Sequence, residues 1–152
     1  MRPVLRPYRP EDCPVLAELF YQTVHGVCHR DYAPDQLDAW ADGQVDLAAW
    51  DISFQAHTTL VAEWDGVIAG FADLRQDGYL DRLYVHRDYQ GRGIATALLD
   101  ALPGATLTHA SLTARPFLER RGWQMVREQQ VERHGVKLTN FVMVRRAADA
   151  RL

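Results

Sequence analysis

The spacing of apolar residues predicts three helices in the first third of the chain. Asp12 is a suitable N-cap for the first helix, because a short carboxylate side chain can accept hydrogen bonds from the first helical turn. The apolar positions after it recur every three or four residues, which is the period of one helix face. These positions are Val15, Leu16, Leu19, Phe20, Val24 and Val27. A second helix is predicted from Pro34, and a third around Leu47, Trp50 and Phe54.

From residue 58 onwards, the pattern changes to the alternation of apolar and polar residues that is typical of β-strands. Asp65-Gly66 is a dipeptide suited to a two-residue hairpin turn. With a short edge strand near the start, the predicted strands cover residues 4–8, 59–64, 67–74, 79–86, 105–110, 123–132 and 136–144. Two further helices are predicted between the later strands, at residues 94–101 and 114–121.

This order of elements predicts an α/β fold, or α+β, with a mixed sheet of about seven strands and helices on both faces. The chain has no linker, repeat or low-complexity segment, so residues 1–152 are predicted to form a single domain. Strict alternation along the fourth strand would place Tyr79, Asp81, Leu83 and Val85 on one face. The same rule would place Arg82, Tyr84 and His86 on the other face.

The segment between the fourth strand and the next helix has the composition of a phosphate-binding loop. It contains Gly91 and Gly93, and glycines that open a helix leave backbone N–H groups accessible to an anion. No Gly-Lys-Ser/Thr follows these glycines, which excludes a P-loop. A dinucleotide-binding fingerprint is disfavoured, because Thr96 occupies its third glycine position and no acidic residue lies near position 111.

Three segments resemble the GNAT superfamily of N-acetyltransferases. Gln90-Gly91-Arg92-Gly93-Ile94-Ala95 is similar to its acyl-CoA-binding signature, Gln/Arg-x-x-Gly-x-Gly/Ala. Residues 114–123 resemble the later helix-to-strand motif, which is usually written around Phe-Tyr-Glu-x-x-Gly-Phe. Residues 29–40 are similar to a segment of uncharacterised bacterial GNAT proteins. The resemblance extends over essentially the whole chain and implies the GNAT fold.

The resemblance implies that acetyl-CoA is the acyl donor and that the signature loop holds its pyrophosphate. The cofactor-binding residues implied are Leu83, Tyr84, Val85, Gln90, Gly91, Arg92, Gly93, Ile94, Ala95, Thr96 and Phe117. A backbone N–H at or near Val85 would polarise the thioester carbonyl. Arg87 and Arg92 are either phosphate ligands or solvated loop arginines, and the sequence does not separate these alternatives.

The reaction implied is direct attack by an amine on acetyl-CoA, which requires a base because alkylammonium groups are protonated at neutral pH. Asp81 is the preferred base, and the alternative is the group formed by His25, Cys28 and His29, in which the two histidines are four residues apart and would share one face of the first helix. In the family a tyrosine of the later helix often protonates the thiolate, but the matching position is Leu118. Tyr84 is therefore the candidate acid. His25, His29 and Tyr32 are predicted to contact the acceptor.

This departure at Leu118 leaves two classes of function open. The first is an enzyme that acetylates a primary amine of a small molecule or a peptide. The second is a GNAT-like domain that binds acyl-CoA without turnover, as a sensor or interaction module.

Composition limits the class of protein, its location and its ligands. A hydrophobic fraction of 47% and a charged fraction of 24% are ordinary for a globular protein. We predict a cytoplasmic protein that does not bind a membrane, since no apolar run approaches the roughly 20 residues of a transmembrane helix and the start does not resemble a signal peptide. Two cysteines, and histidines without an evident further ligand, predict no metal site. No nucleic-acid partner is predicted, and a homodimer is a family-based expectation.

Charge is distributed unevenly along the chain. Residues 1–81 contain 5 basic and 14 acidic residues, whereas residues 82–152 contain 12 basic and 6 acidic residues. This asymmetry suits an enzyme that joins a cationic amine to a polyanionic cofactor. The alternative is an uneven distribution of solvated surface charge.

Overall fold

A computed structural model of the protein describes residues 2–146. Within these residues, seven strands form one mixed sheet in the order β1-β2-β3-β4-β5-β7-β6. They are β1 (Val4–Pro7), β2 (Thr58–Trp64), β3 (Val67–Leu74), β4 (Tyr79–Val85), β5 (Leu107–Ser111), β6 (Gln124–Arg133) and β7 (Val136–Val144). All seven predicted strands are confirmed, with shifts of one or two residues at several ends.

In the described part of the chain, five α-helices pack on this sheet. They are α1 (Cys13–Val27), α2 (Pro34–Trp40), α3 (Leu47–Ala56), α4 (Ile94–Asp100) and α5 (Arg115–Glu119). Short 3-10 turns cover Pro10–Asp12, Cys28–Arg30 and Arg87–Tyr89. Among residues 2–146, no helix is long and apolar enough to cross a bilayer. The single-domain prediction also includes residue 1 and residues 147–152, which lie outside the described residues.

The helices bury two separate cores, one on each face of the sheet, as the order of elements predicts. On one face, called the α1 face, residues of α1, α2 and α3 pack together; they include Leu16, Leu19, Leu37 and Phe54. On the other, called the α4 face, residues of α4 and α5 pack together; they include Ile94, Leu98 and Leu118. Burial of these apolar side chains is the main force that holds the helices to the sheet.

The sheet opens between its two central strands. β4 and β5 are parallel neighbours, but only Tyr79 with Leu107 and Leu80 with Thr108 are paired. Beyond Leu80 the two strands separate, so the rest of β4 has a free edge facing a gap. Parallel strands that diverge in this way leave backbone groups accessible to a ligand.

A β-bulge in β4 lies where this gap begins. Leu80 pairs with Leu74 and Arg82 pairs with Asp73, so Asp81 is an additional residue without a partner in β3. Leu80 therefore joins Leu83 and Val85 in the α4-face core, which strict alternation does not allow. The prediction that Asp81 shares a face with Leu83 is wrong, because the bulge turns Asp81 toward Asp73 and His57 on the α1 face.

Candidate active site

A cleft of about 750 Å³ passes through the sheet at the gap between β4 and β5. Its walls come from β4, the loop before α4, β5, α5, the β6–β7 hairpin and the end of α1. Most of the predicted site residues line it: Tyr32, Asp81, Leu83, Tyr84, Val85, Gln90, Gly91, Gly93, Ile94, Ala95, Thr96 and Phe117. The chain therefore brings residues that are distant in sequence to one concave site.

The loop between β4 and α4 presents bare backbone on the α4 face. Gly91 and Gly93 have φ values of +74° and +78°, a conformation that glycine adopts without strain. A Cβ atom at either position would meet no atom within 4 Å, so packing inside the protein does not require glycine there. Within the described part of the chain, no group accepts a hydrogen bond from the backbone N–H groups of residues 91–96. This arrangement fits an anion.

The loop is fixed to the end of β4 by a side chain of the signature. The Gln90 Nε2 group donates a hydrogen bond to the Val85 carbonyl oxygen at 2.6 Å. The same oxygen accepts a second hydrogen bond, from the Thr23 hydroxyl of α1 at 3.0 Å. The position of the loop is therefore determined jointly by β4 and α1.

The free edge of β4 offers donors to the gap. The His86 N–H donates to the Ala69 carbonyl oxygen of β3 at 2.8 Å. Because N–H directions alternate along a strand, the N–H groups of Leu83 and Val85 point to the opposite edge, where β5 has separated. These are the positions at which the sequence predicts an oxyanion donor.

The two arginines that the sequence places at the loop do not line the cleft, whereas two arginines that follow α5 do. Arg92 lies outside the cleft lining, with its guanidinium 5.3 Å from the Trp64 ring centroid and 5.0 Å from that of Tyr89. Arg87 is also outside the lining and lies 3.9 Å from an Asp88 carboxylate oxygen. Arg120 and Arg121 of the α5 segment line the cleft instead.

Arg121 is the better placed of these two cations. It donates a hydrogen bond to the Thr96 hydroxyl, at the start of α4. Its guanidinium also lies 4.0 Å from the ring centroid of the cleft residue Phe117. Sequence reasoning missed Arg121, although it lies inside the helix-to-strand motif, because only the fold brings that motif beside Thr96.

Asp81 lies at the cleft wall with its side chain 32% exposed. Arg82 Nη1 is 3.7 Å from its carboxylate, and the same nitrogen donates to Asp73 Oδ2 at 2.5 Å. The Arg82 guanidinium packs against the rings of Trp50 and Phe54 of α3, 4.7 and 4.8 Å from their centroids. Asp81 is thus a solvent-accessible carboxylate on a rigid support.

Behind Asp81 lies the fully buried Asp73. Ligand atoms of His57, Asp73 and Asp81 lie within 4.8 Å of one another, a spacing compatible with a metal ion. However, Asp73 Oδ2 already accepts hydrogen bonds from Arg82 and from His57 Nδ1, the latter at 2.8 Å. Burial raises the pKa of Asp73, and the nearby Arg82 charge partly offsets that rise. An arginine is the cation of this cluster, so we do not assign it to a metal.

Tyr84 lines the cleft but is also packed in the α1-face core. Its ring centroid lies 5.0 Å from that of Phe20 and 5.8 Å from that of Phe71. Burial raises the pKa of its hydroxyl well above the usual value, so the group keeps its proton at neutral pH.

Tyr32 has a structural connection that the sequence did not reveal. Its hydroxyl donates to the Thr139 carbonyl oxygen of β7 at 2.7 Å and accepts from the Leu112 N–H at 2.9 Å. Both hydroxyl functions are thus used within the protein, although the residue borders the cleft.

The structure does not bring the two predicted histidines into the cleft. His25 Nε2 lies 2.8 Å from the Ala41 carbonyl oxygen, and its ring packs against Tyr21. Helix α1 ends at Val27, so His29 lies in the following 3-10 turn rather than on the same helix face, and it is exposed. Their predicted roles have no geometric support.

Cys28 does reach the cleft. Burial raises the pKa of its thiol to about 11, so it is protonated at neutral pH and unsuited to carry an acyl group.

Three further cleft residues were missed by sequence reasoning: His109, Arg133 and Asn140. Burial lowers the pKa of His109, and the charges of Arg127 and Arg133 lower it further, so its imidazole is neutral at pH 7. The Oδ1 atom of Asn140 is buried without a hydrogen-bond partner. Such strand residues carry no motif, and only the sheet order places them beside β4.

The chain is similar to an acetyltransferase family and to a bacterial protein named as an N-acetyltransferase. Residues 28–145 match the family described as "Acetyltransferase (GNAT) domain". The chain is 37% identical over 142 residues to the "Uncharacterized N-acetyltransferase YafP" of Escherichia coli K12, covering 91% of this chain and 93% of that protein.

The fold is shared with solved structures, of which two are given as examples. One is a GCN5-related N-acetyltransferase from Rhodopseudomonas palustris, at 36% identity and a TM-score of 0.88 over 94% of each chain. The other is the PaiA N-acetyltransferase of Thermoplasma acidophilum in complex with coenzyme A, at 16% identity and a TM-score of 0.73 over 94% of this chain and 98% of that one.

Proposed function

Because this chain belongs to the GNAT family and is an acetyl-CoA-dependent N-acetyltransferase, we propose that it acetylates a primary amine of a small molecule or peptide by direct attack within the cleft. The observation that carries this proposal is the cleft itself, which joins the two faces of the sheet. The anion-binding loop lies on the α4 face, whereas Asp81 lies on the α1 face. Acetyl-CoA and the amine can therefore approach the gap from opposite sides.

In this proposal the loop before α4 holds the pyrophosphate of acetyl-CoA. The N–H groups of residues 91–96 supply the hydrogen bonds, and Arg121 adds a positive charge beside Thr96. The pantetheine arm follows the free edge of β4. The Val85 N–H then reaches the thioester carbonyl and stabilises the oxyanion that forms on it.

The chemistry balances without a further reactant. The amine nitrogen forms a bond to the acetyl carbon, and the carbon–sulfur bond breaks when the tetrahedral intermediate collapses. Asp81, directly or through a water molecule, accepts the proton that the amine loses. The CoA thiolate takes a proton as it leaves; Tyr84, which lines the cleft with a protonated hydroxyl, is the proposed donor and regains a proton from solvent. The products are an amide and free CoA.

His109 is a second candidate for the base. It lines the same cleft from β5, and its lowered pKa keeps it neutral and able to accept a proton at pH 7. Asp81 is preferred because the bulge fixes it at the point where β4 and β5 separate.

A free-thiol assay tests the proposal. Purified protein is incubated with acetyl-CoA and a panel of amines that includes polyamines, amino acids and short peptides, and released CoA is measured with a thiol reagent. We expect amine-dependent thiol release and an N-acetyl product of the corresponding mass. Binding of acetyl-CoA without thiol release for any amine would contradict turnover and favour a binding domain.

A further inference from the structure

Arg133 is an arginine of the cleft without an acidic partner. It is the last residue of β6, and its Nη1 group donates a hydrogen bond to the neighbouring Glu132 carbonyl oxygen at 3.0 Å. Among residues 2–146, no carboxylate forms an ion pair with it. Asp81, which also lines the cleft, forms its ion pair with Arg82 and not with Arg133. A ligand anion would complete the coordination of this guanidinium.

The fold places Arg133 on the face that carries Asp81. Val131, two residues earlier in β6, packs against the α1-face core, and alternate residues of a strand share a face. Asp81 also points to the α1 face, toward Asp73 and His57. The acetyl-CoA loop lies on the opposite face, so Arg133 belongs to the acceptor side of the cleft.

Arg133 lies close enough to Tyr79 and His109 for its charge to affect the pKa of both groups. Burial raises the pKa of Tyr79, the Asp81 charge raises it further, and Arg133 partly offsets these effects. Burial also lowers the pKa of His109, with Arg127 and Arg133 adding to the effect. Arg133 and Asp81 therefore act on the same tyrosine, one as a cation and the other as an anion.

A second unsatisfied group lies on this face. Asn140 pairs with Ser111 of β5, and its Oδ1 atom is buried in the cleft with no donor among the described residues. Buried acceptors are normally satisfied, and an N–H group of a bound molecule would satisfy this one. The acceptor side thus offers an anion site, a carboxylate for an amine, and an amide oxygen for an N–H group.

Resting on the proposed acetyl transfer, we propose that the acceptor is a zwitterion, an amine that also carries an anionic group, and that Arg133 binds this anion. A carboxylate or a phosphate has the required chemistry, because each presents two oxygens to a guanidinium. Free amino acids and aminoalkyl phosphates are the two corresponding substrate classes. Arg133 determines specificity and takes no part in the acetyl transfer itself.

Matched pairs of acceptors test this inference. L-phenylalanine is compared with L-phenylalaninamide, L-lysine with L-lysinamide, and phosphoethanolamine with ethanolamine, each as kcat/KM for thiol release. We expect the anionic member of at least one pair to be preferred by about tenfold or more. Preference for an amino acid identifies a carboxylate, and preference for phosphoethanolamine identifies a phosphate.

Variants then assign the preference to one residue. Arg133→Gln is expected to raise KM for the preferred anionic acceptor about 10- to 100-fold, with kcat and the KM for acetyl-CoA nearly unchanged. Lys137→Gln is the matched control, because it removes a cation from the same hairpin at a residue outside the cleft lining. It is expected to behave as the wild type.

The affinity of the protein for acetylated products tests the role of Arg133 independently of whether the protein turns over acetyl-CoA. Calorimetry of CoA-saturated protein measures the affinity for N-acetyl-L-phenylalanine, N-acetyl-L-lysine and N-acetylphosphoethanolamine. If at least one binds and Arg133→Gln weakens it, the inference holds even if no amine releases thiol, and the proposed function alone fails. Equal use of both members of every pair, retained preference in Arg133→Gln, or no product binding that depends on Arg133 would overturn the inference.

Discussion

At the scale of single residues, the position of Asp81 depends on one additional residue in β4. The bulge leaves Asp81 unpaired, exposes its carboxylate to the cleft and directs it to the α1 face. Arg82 lies beside it and packs against two aromatic rings. A base that must accept a proton from an amine needs this combination of access to the substrate and a rigid support.

Asp81→Asn therefore tests the proposed base. The variant keeps the size of the side chain but cannot accept the proton, so kcat is expected to fall about 10²- to 10⁴-fold. The loss should be largest at low pH, where the amine is most fully protonated and few other bases are available. Asp65→Asn, in the β2–β3 turn, is the matched control. A pH–rate profile identical to that of the wild type would transfer the role to His109 or to water.

At the scale of elements, the junction between β1 and α1 shows how the helix is attached to the sheet. The sequence predicts Asp12 as a helix N-cap, but its side chain accepts no capping hydrogen bond from α1. It accepts two hydrogen bonds from Arg6 of β1, at 2.8 and 2.9 Å, and one from the Arg9 N–H. Arg6 also pairs with Glu63 of β2. The carboxylate therefore connects a helix to the sheet.

Asp12→Asn is expected to lower the free energy of unfolding by about 1–3 kcal/mol at pH 7, because Arg6 loses one of its two charged partners. The hydrogen bonds from Arg6 lower the pKa of Asp12 below that of an unfolded aspartate, near 3.9. The stabilisation is therefore complete above that pKa and is lost as pH falls below it.

Urea unfolding of the wild type and Asp12→Asn at pH 7, 4 and 3 measures this effect. The difference in free energy should shrink as the pH decreases, and Asp65→Asn should show no such trend. A difference that is constant with pH would show that the ion pair is not its cause.

At the scale of the whole molecule, the sheet separates the α1 face from the α4 face, and the gap between β4 and β5 connects them. In the proposed reaction, the loop on the α4 face holds the donor, and groups on the α1 face hold the acceptor. With that assignment, acetyl-CoA and the amine would approach from opposite faces and meet at the gap.

Much of this architecture is predictable from local patterns. The Asp65-Gly66 turn, the helical period before Val27 and the glycines at 91 and 93 are short-range signals, and the elements they predict are present. The loop could therefore be located before the structure was known.

The acceptor side could not be predicted in the same way. The direction of Asp81 depends on a bulge, and Arg133 and Asn140 reach the cleft only because β7 and β6 follow β5 in the sheet. His25 and His29, which the sequence places with the acceptor, do not line the cleft. Their spacing of four assumes a continuous helix, whereas α1 ends at Val27.

Acetyl-CoA binding by Gly93→Asp, measured by calorimetry beside Gly66→Asp, most directly tests whether the loop before α4 binds the donor. Both glycines have a φ of +78° and open space around a Cβ, so the two substitutions impose the same backbone strain. Only Gly93 lies in the cleft, where an aspartate would place a negative charge against the pyrophosphate. We expect Gly66→Asp to bind acetyl-CoA as the wild type does and Gly93→Asp to bind at least about 100-fold more weakly while remaining folded. Near-normal affinity in Gly93→Asp would contradict the placement of the donor.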